Sequence, residues 1–166
     1  GERLNDSGNY SLKITVPYSS TCPCSAALSR QLFANAIDSE FSNSNINKQA
    51  LLSWVNNTTV ATPHSQRSYV YLNLSLGDNQ WPCLSSFIMQ IEEVIATPVQ
   101  TMVKRIDEQE FARLNASNLM FCEDAARKIK AMLEHFTSIK DYRFKVEHQE
   151  SLHAHNAVVI DQKFNS

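Results

Sequence analysis

The sequence predicts an α+β fold, with four strands and two helices in the order β-β-α-α-β-β and a helical insertion between the first two strands. Three observations predict this fold. Polar and apolar residues alternate in four short segments, which is typical of half-buried strands. Between these segments apolar residues recur at spacings of three and four, which is typical of amphipathic helices. The 166 residues are also enough for one domain with a single core.

The first two strands are predicted on either side of the insertion. Alternation over residues 10–19 predicts the first strand, and alternation over residues 67–76 predicts the second. Residues 27–62 separate them and carry helical spacing, so we expect a helical insertion there. The apolar residues with this spacing are Leu28, Leu32, Phe33, Ile37, Leu51, Leu52 and Val55.

Two helices are predicted between the second and third strands, where they can cover one face of the sheet. The first begins near Asn79 and ends or kinks at Pro98, because a proline inside a helix removes a hydrogen bond. The second begins around Asn115 or Ser117. Its apolar face contains Ile129, Met132, Leu133 and Phe136.

The last two strands are predicted as a hairpin with polar residues near its turn. Alternation around residues 142–146 predicts the third strand, and residues 152–160 predict the fourth. Successive side chains of a strand point to opposite faces, so residues two apart share a face. By this parity His148 shares a face with Glu150, and His153 shares a face with His155.

Charge and composition argue against several classes of protein. Fifteen Lys and Arg and 17 Asp and Glu give a net charge of -2, with both signs spread along the chain. This balance does not favour a nucleic acid or a membrane surface as the main partner. No apolar run approaches the length of a membrane span, and residues 1–9 lack the regions of a signal peptide, so we expect a cytoplasmic protein. The four cysteines are interpreted as thiols.

Several residues that bind metals or perform catalysis follow or precede the predicted strands. Cys22 ends the first strand, where a thiolate can bind a metal or attack a substrate; a buried structural cysteine is the alternative. His64, Glu108 and His153 add donors of the kinds that hold zinc or another divalent metal. Plain surface residues are the alternative for the histidines near the C-terminus. Spacing alone leaves these alternatives open.

Five motifs occur in order along the chain: Thr21–Ser25, Pro63–Ser68, Lys104–Glu108, Phe121–Asp124 and Glu150–Ala157. In residue type, order and context they resemble the motifs of type IB GTP cyclohydrolase. The resemblance implies a tunnelling fold, in which modules of four antiparallel strands and two helices associate into a barrel. It also implies a homo-oligomer, expected to be a tetramer, with active sites between subunits.

The resemblance implies a role for each matching residue. Cys22, His64 and Glu108 correspond to the metal ligands, for zinc, manganese or iron(II). His153 corresponds to a catalytic acid or base, and we assign supporting catalytic roles to Cys22, Glu150 and His155. Glu123 corresponds to the carboxylate that anchors guanine. No glycine-rich phosphate loop is present, so we expect basic side chains to hold the triphosphate; the candidates are Arg67, Lys104 and Arg105.

The activity implied is the hydrolytic opening of the guanine ring of GTP, which gives formate and 7,8-dihydroneopterin triphosphate. This reaction is the first step of folate and pterin biosynthesis, or of deazapurine nucleoside biosynthesis. Two alternatives remain: another tunnelling-fold enzyme that acts on a pterin or deazapurine through a cysteine nucleophile, and a non-catalytic purine-binding module.

Two features depart from the family pattern. The connection between Cys22 and His64 is much longer than in typical members, although a long insertion is tolerated when its ends stay close. Typical members also carry a related module before the catalytic one. We therefore expect an N-terminal half that is either missing from this chain or supplied separately.

Overall fold

The computed structural model describes residues 10–77, 83–99 and 104–163, which form four strands and five helices. The strands make one antiparallel sheet in the order β1-β2-β3-β4. This confirms the α+β class and the four-stranded sheet. The elements are β1 Tyr10–Thr21, α1 Pro23–Glu40, α2 Lys48–Asn57, β2 Ser65–Leu76, α3 Leu84–Ile95, α4 Arg105–Ser117, α5 Cys122–Glu134, β3 Ile139–His148 and β4 Ala157–Lys163.

One face of the sheet forms the core. Along β2 every second residue is buried, so Leu72 and Leu74 point inward while Asn73 points to solvent. Helices α3 and α5 cover this face with apolar stripes that include Ile91 and Ile129, each 0% exposed. Burying one such side chain contributes about 1.5–3 kcal/mol. The predicted alternation and the stripes of α3 and α5 therefore account for the core.

Local side-chain contacts explain where several helices begin. Pro23 is the first residue of α1, where its missing N–H costs no helical hydrogen bond. Asn47 precedes α2, and its side chain accepts from the amides of Gln49 and Ala50 at 2.9 and 3.1 Å. At α5 the Asp124 carboxylate accepts from the amide of Phe121 at 2.9 Å.

The chain between β1 and β2 is helical, as the periodicity predicts, but it contributes little to the core. In α1 only Ala26 is buried, and α2 has no buried residue. The two helices contact each other through Trp54, whose ring centroid lies 5.7 Å from that of Phe33 and 6.1 Å from that of Phe41. The insertion thus has its own small aromatic cluster.

The prediction of two helices between β2 and β3 is wrong. The described residues contain three, because Ser117, a predicted helix start, is instead the last residue of α4. The helix that covers the sheet begins at Cys122. Apart from Asn115, the α4 side chains are not buried, so its sequence shows no strong apolar stripe. The predicted start of the first helix near Asn79 lies outside the described residues.

The fourth strand also begins later than predicted. The prediction placed it at residues 152–160, whereas β4 is Ala157–Lys163. His153 and His155 therefore lie in the connection that precedes β4 and do not share a strand face. The side chain of Leu152 is 72% exposed, so no apolar contact holds this segment on the sheet.

No described helix combines the length and the apolar character that a bilayer crossing requires.

Candidate active site

Cys22 follows the end of β1 and His64 precedes the start of β2, so both lie at the same end of the sheet. The strand register ends at the pair Thr21 and Ser65, so Cys22 and His64 are the next opposed pair. The Cys22 amide donates a long hydrogen bond to the His64 carbonyl at 3.5 Å, and the His64 amide donates to the Ser25 hydroxyl at 3.0 Å. A thiol and an imidazole thus leave adjacent strands at one position.

A cavity of about 640 Å³ opens at this end of the sheet, and both Cys22 and His64 line it. The connection between β3 and β4 supplies three further polar residues of the wall, Glu150, His153 and His155. The rings of His153 and His155 stack, with centroids 5.5 Å apart, and both side chains are exposed. Leu28, Leu32, Phe121 and Leu152 add apolar surface. The cavity therefore combines two thiols, those of Cys22 and Cys24, with three imidazoles and a carboxylate.

Gln66 connects His64 to Glu150. The Gln149 amide donates to the Arg67 carbonyl at 3.1 Å, so the pairing of β2 with β3 continues beyond β3 and sets Glu150 opposite Gln66. Gln66 Nε2 donates to Glu150 Oε1 at 3.2 Å, and Gln66 Oε1 lies 3.0 Å from His64 Nδ1. Because Gln66 is only 8% exposed, protein atoms rather than water hold this chain of contacts.

The model of the family described as type I GTP cyclohydrolase folE2 matches residues 2–159 of the chain. The chain belongs to this family. It is 76% identical over 165 residues to GTP cyclohydrolase FolE2 of Hahella chejuensis, 57% over 157 residues to that of Pseudoalteromonas atlantica, and 52% over 165 residues to that of Hydrogenovibrio crunogenus.

These alignments cover 99%, 93% and 98% of the chain, but 54%, 51% and 53% of the three FolE2 relatives. The chain therefore spans about half the length of the curated relatives it matches. Membership of the FolE2 family confirms the family that the five motifs predict.

Glu108, a metal ligand by the resemblance, and Arg67, a candidate for holding the triphosphate, line a second cavity of about 400 Å³. Ser65 and Gln66 line this second cavity, whereas His64 lines the first. The two cavities therefore adjoin along the start of β2. Within the described ranges, no three His, Cys, Asp or Glu side chains are grouped closely enough to hold a metal ion. The structure brings Cys22 and His64 together and leaves Glu108 on the neighbouring wall.

Asn115 holds α4, the helix that contains Glu108, against β1. Its side-chain oxygen accepts from the hydroxyls of Ser19 and Thr21 at 2.7 and 3.2 Å, and its amide nitrogen donates to the Phe111 carbonyl at 2.9 Å. Glu108 lies about two helical turns earlier in α4. Asn115 therefore sets the position of α4, and with it the second cavity, relative to β1.

The other two residues with predicted substrate contacts lie at helix N-termini. Lys104 precedes α4 and its amide donates to Asp107 Oδ2 at 2.7 Å. Glu123 is in the first turn of α5, where a carboxylate interacts favourably with the helix dipole. Both side chains are exposed, and neither lines either cavity.

A buried polar pair lies at the end of β3. The hydroxyl of Tyr18 and Nε2 of His148 are 2.8 Å apart, and these residues are 1% and 2% exposed. Burial lowers the pKa of His148 to about 4, against the opposing effect of the Glu123 and Asp124 carboxylates. Burial likewise raises the pKa of the Tyr18 hydroxyl. Both groups are neutral at pH 7, so they serve as hydrogen-bonding partners.

The thiol of Cys122, the first residue of α5, is buried beside this pair. Its Sγ donates to the carbonyls of Val146 and Ala157, both at 3.5 Å. Burial raises the pKa of Cys122 to about 11. This thiol is protonated at pH 7 and packs α5 onto β3 and β4, in contrast to Cys22 on the cavity wall.

The sequence reasoning missed Gln66 and Asn115 as residues that shape the site. Gln66 had a usable signal, because it lies two positions after His64 at the start of a strand and so shares its side. Asn115 had no such signal, since its partners Ser19 and Thr21 are more than 90 positions away.

Proposed function

We propose that this chain is the catalytic half of a metal-dependent GTP cyclohydrolase, which opens the five-membered ring of guanine and releases formate and 7,8-dihydroneopterin triphosphate. The observation that carries this proposal is the opposed pair Cys22 and His64 on the cavity that His153 also lines. FolE2 family membership supports the choice of substrate, because the matched relatives are named GTP cyclohydrolase FolE2. The reaction begins folate and pterin, or deazapurine nucleoside, biosynthesis.

The donor types fit a divalent metal such as zinc, manganese or iron(II). Cys22 and His64 offer a thiolate and an imidazole on one wall, and Glu108 offers a carboxylate on the next. Such a metal supplies a Lewis acid that activates water for addition to C8 of guanine. Cys22, His64 and Glu108 would hold such a metal as three ligands and would leave a position for water or substrate, unlike a structural site closed by four protein ligands.

The exposed histidines handle protons in this proposal. His153 donates to and accepts from the ring nitrogens of guanine as the ring opens, because imidazole exchanges protons near neutral pH. His155 stacks on His153 and orients its ring. Glu150 faces the same cavity and is held by Gln66.

Substrate binding falls to residues around the cavities. The Glu123 carboxylate accepts from N1–H and the 2-amino group of guanine, two adjacent donors that adenine lacks. Arg67 and Lys104 hold the triphosphate through charge-assisted hydrogen bonds. Glu123 and Lys104 are exposed helix-terminal residues outside the cavity walls of this chain.

This arrangement supports an assembly in which neighbouring subunits complete each site, as in the tunnelling fold. Strands β1 and β4 are the two edges of the sheet, and an edge strand offers backbone groups to another strand. We propose a homo-tetramer of this module. Light scattering coupled to gel filtration measures the mass of the assembly directly.

Formate release from GTP, assayed with added zinc, manganese or iron(II), tests the function. Cys22→Ala should lose both bound metal and turnover, because thiolate is the strongest donor of the set. Cys83→Ala is the matched control, since Cys83 is an exposed thiol that lines neither cavity. Retention of stoichiometric metal and activity in Cys22→Ala contradicts the metal assignment. GTP binding without formate release indicates a purine-binding module instead, and turnover without metal indicates a cysteine nucleophile.

A further inference from the structure

We propose that Gln66 is a positioning residue that selects the tautomer of His64, so that Nδ1 carries the proton and Nε2 keeps the lone pair for a metal. The inference rests on the proposed metal role of His64. It goes beyond that role, because it identifies which ring nitrogen binds and which residues enforce the choice.

Glu150 determines which way the Gln66 amide faces. A carboxylate oxygen accepts hydrogen bonds, so the Gln66 group that faces it is the donating NH₂. Gln66 Nε2 lies 3.2 Å from Glu150 Oε1, which agrees with this requirement. The orientation of the Gln66 amide is therefore set by the chemistry of Glu150.

This orientation leaves only an oxygen for His64. Gln66 Oε1 lies 3.0 Å from His64 Nδ1, and an amide oxygen cannot donate. Nδ1 must then carry a proton to complete the bond, and in a neutral imidazole Nε2 is left as the acceptor. A ligating histidine usually donates its other N–H to a fixed acceptor in this way.

The backbone makes the contacts rigid. Gln66 is nearly buried within β2, and the hydrogen bond from the Gln149 amide to the Arg67 carbonyl holds Glu150 opposite it. The His64 amide is bonded to Ser25 at the start of α1. Glu150 therefore acts on His64 through Gln66.

NMR of the metal-free full chain tests the tautomer independently of activity. The chain has five histidines, so long-range ¹H–¹⁵N correlations of the imidazole rings are resolvable, and His64→Ala assigns the His64 signals. Wild type should show His64 protonated at Nδ1. Gln66→Leu removes the acceptor at similar size and should shift the population toward Nε2–H. A wild-type His64 protonated at Nε2 overturns the proposal.

Metal titration with cobalt(II) or zinc provides the second readout. Gln66→Leu should bind about 10- to 100-fold more weakly. Gln66→Glu should recover the Nδ1–H tautomer and most of the affinity, because its carboxylate accepts from Nδ1 and can share a proton with Glu150. Gln162→Leu, the same change at an exposed position of β4, is the control. Equal affinity in Gln66→Leu and wild type contradicts the inference, as does a Gln66→Glu protein that behaves like Gln66→Leu.

The two proposals fail in different ways. If wild type binds metal and shows the Nδ1–H tautomer but releases no formate, the proposed function is wrong and the role of Gln66 stands. If wild type releases formate while Gln66→Leu keeps the wild-type tautomer and metal affinity, the function stands and the positioning role is wrong. If Gln66→Leu does not fold, Glu150→Gln tests the same point, because a neutral amide no longer dictates which way Gln66 faces.

Discussion

Two regions at the same end of the sheet use histidine in opposite ways. At the end of β3, His148 is 2% exposed and paired with Tyr18 at 2.8 Å. Five positions later, His153 is exposed and stacks on His155 beside a 640 Å³ cavity. Burial suppresses the charge of the first histidine, whereas the second is exposed to solvent beside the cavity. Residue type and position in the chain are therefore poor guides to role.

The same contrast holds for the polar groups around each histidine. In the core region, Ser20 and Ser68 are bonded at 2.7 Å, and among the described residues no buried side-chain nitrogen or oxygen lacks a partner. On the cavity wall, the side chains of Cys22, His64 and His153 border open space, although His64 Nδ1 also contacts Gln66 Oε1. A closed network stabilises the fold, and an open one can bind a substrate.

The largest expected effect belongs to His153. His153→Ala should lower kcat for formate release about 10²- to 10⁴-fold, because it removes the proposed general acid or base. The melting temperature should stay within error, since the side chain is exposed. Formate assays and thermal unfolding measure the two quantities.

His135→Ala is the control for His153, because His135 is also exposed but lies at the C-terminal end of α5. It should keep full turnover. If His153→Ala retained more than half of wild-type kcat, His153 would not be the general acid or base. The contrast between the buried and the exposed histidine would then have no functional meaning.

The next effect concerns the stability that His148 gives the fold. Its folded pKa of about 4 lies below the ordinary value of 6.5, so between these values the unfolded chain binds more protons. The free energy of unfolding should therefore be highest above pH 6.5 and fall as pH drops to about 4, by up to about 3 kcal/mol from this residue. Urea unfolding at several pH values measures the slope.

His148→Gln removes the titrating imidazole and keeps a polar partner for Tyr18. It should therefore reduce the dependence of the unfolding free energy on pH between about 4 and 6.5. His155→Ala should leave the slope unchanged, because His155 is exposed. An identical slope in His148→Gln and wild type would mean that other groups cause the acid destabilisation.

The sequence predicted the core region far better than the cavity. The strict alternation in β2, the alternation from Tyr142 onward in β3 and the apolar stripe of α5 follow from burial against one face of the sheet. The period of the apolar residues reports such burial directly. The connection that carries His153 has no buried apolar residue, so parity there predicted a strand that does not form. The resemblance proposed roles for Cys22 and His64, and strand parity could have placed Gln66 beside His64. The contact of Gln66 with Glu150 depends on the register of β2 with β3, which periodicity does not give.

The proposed roles of Glu108 in metal binding and of Glu123 in guanine binding predict different effects of substitution. Glu108→Gln removes an anionic donor, so metal affinity should fall, and excess metal should partly restore turnover. Glu123→Gln places a donor against the guanine edge, so GTP affinity should fall about 10- to 100-fold while the metal stays bound. Calorimetry with GTP, with and without metal, distinguishes them. The reversed pattern would exchange the two assignments, and two unchanged variants would place the pocket elsewhere.

The smallest effect is expected for the insertion, which belongs to neither region. Replacing residues 33–52 by a short flexible linker removes Phe33 and Phe41 from the cluster around Trp54 but no buried core residue. Closure entropy changes slowly with loop length, so the free energy of unfolding should change by less than about 1 kcal/mol. Ile129→Ala, a core truncation that should cost about 2–5 kcal/mol, calibrates the urea measurement. A deletion that lowers stability as much as Ile129→Ala, or that yields no soluble protein, would show that α1 and α2 support the sheet.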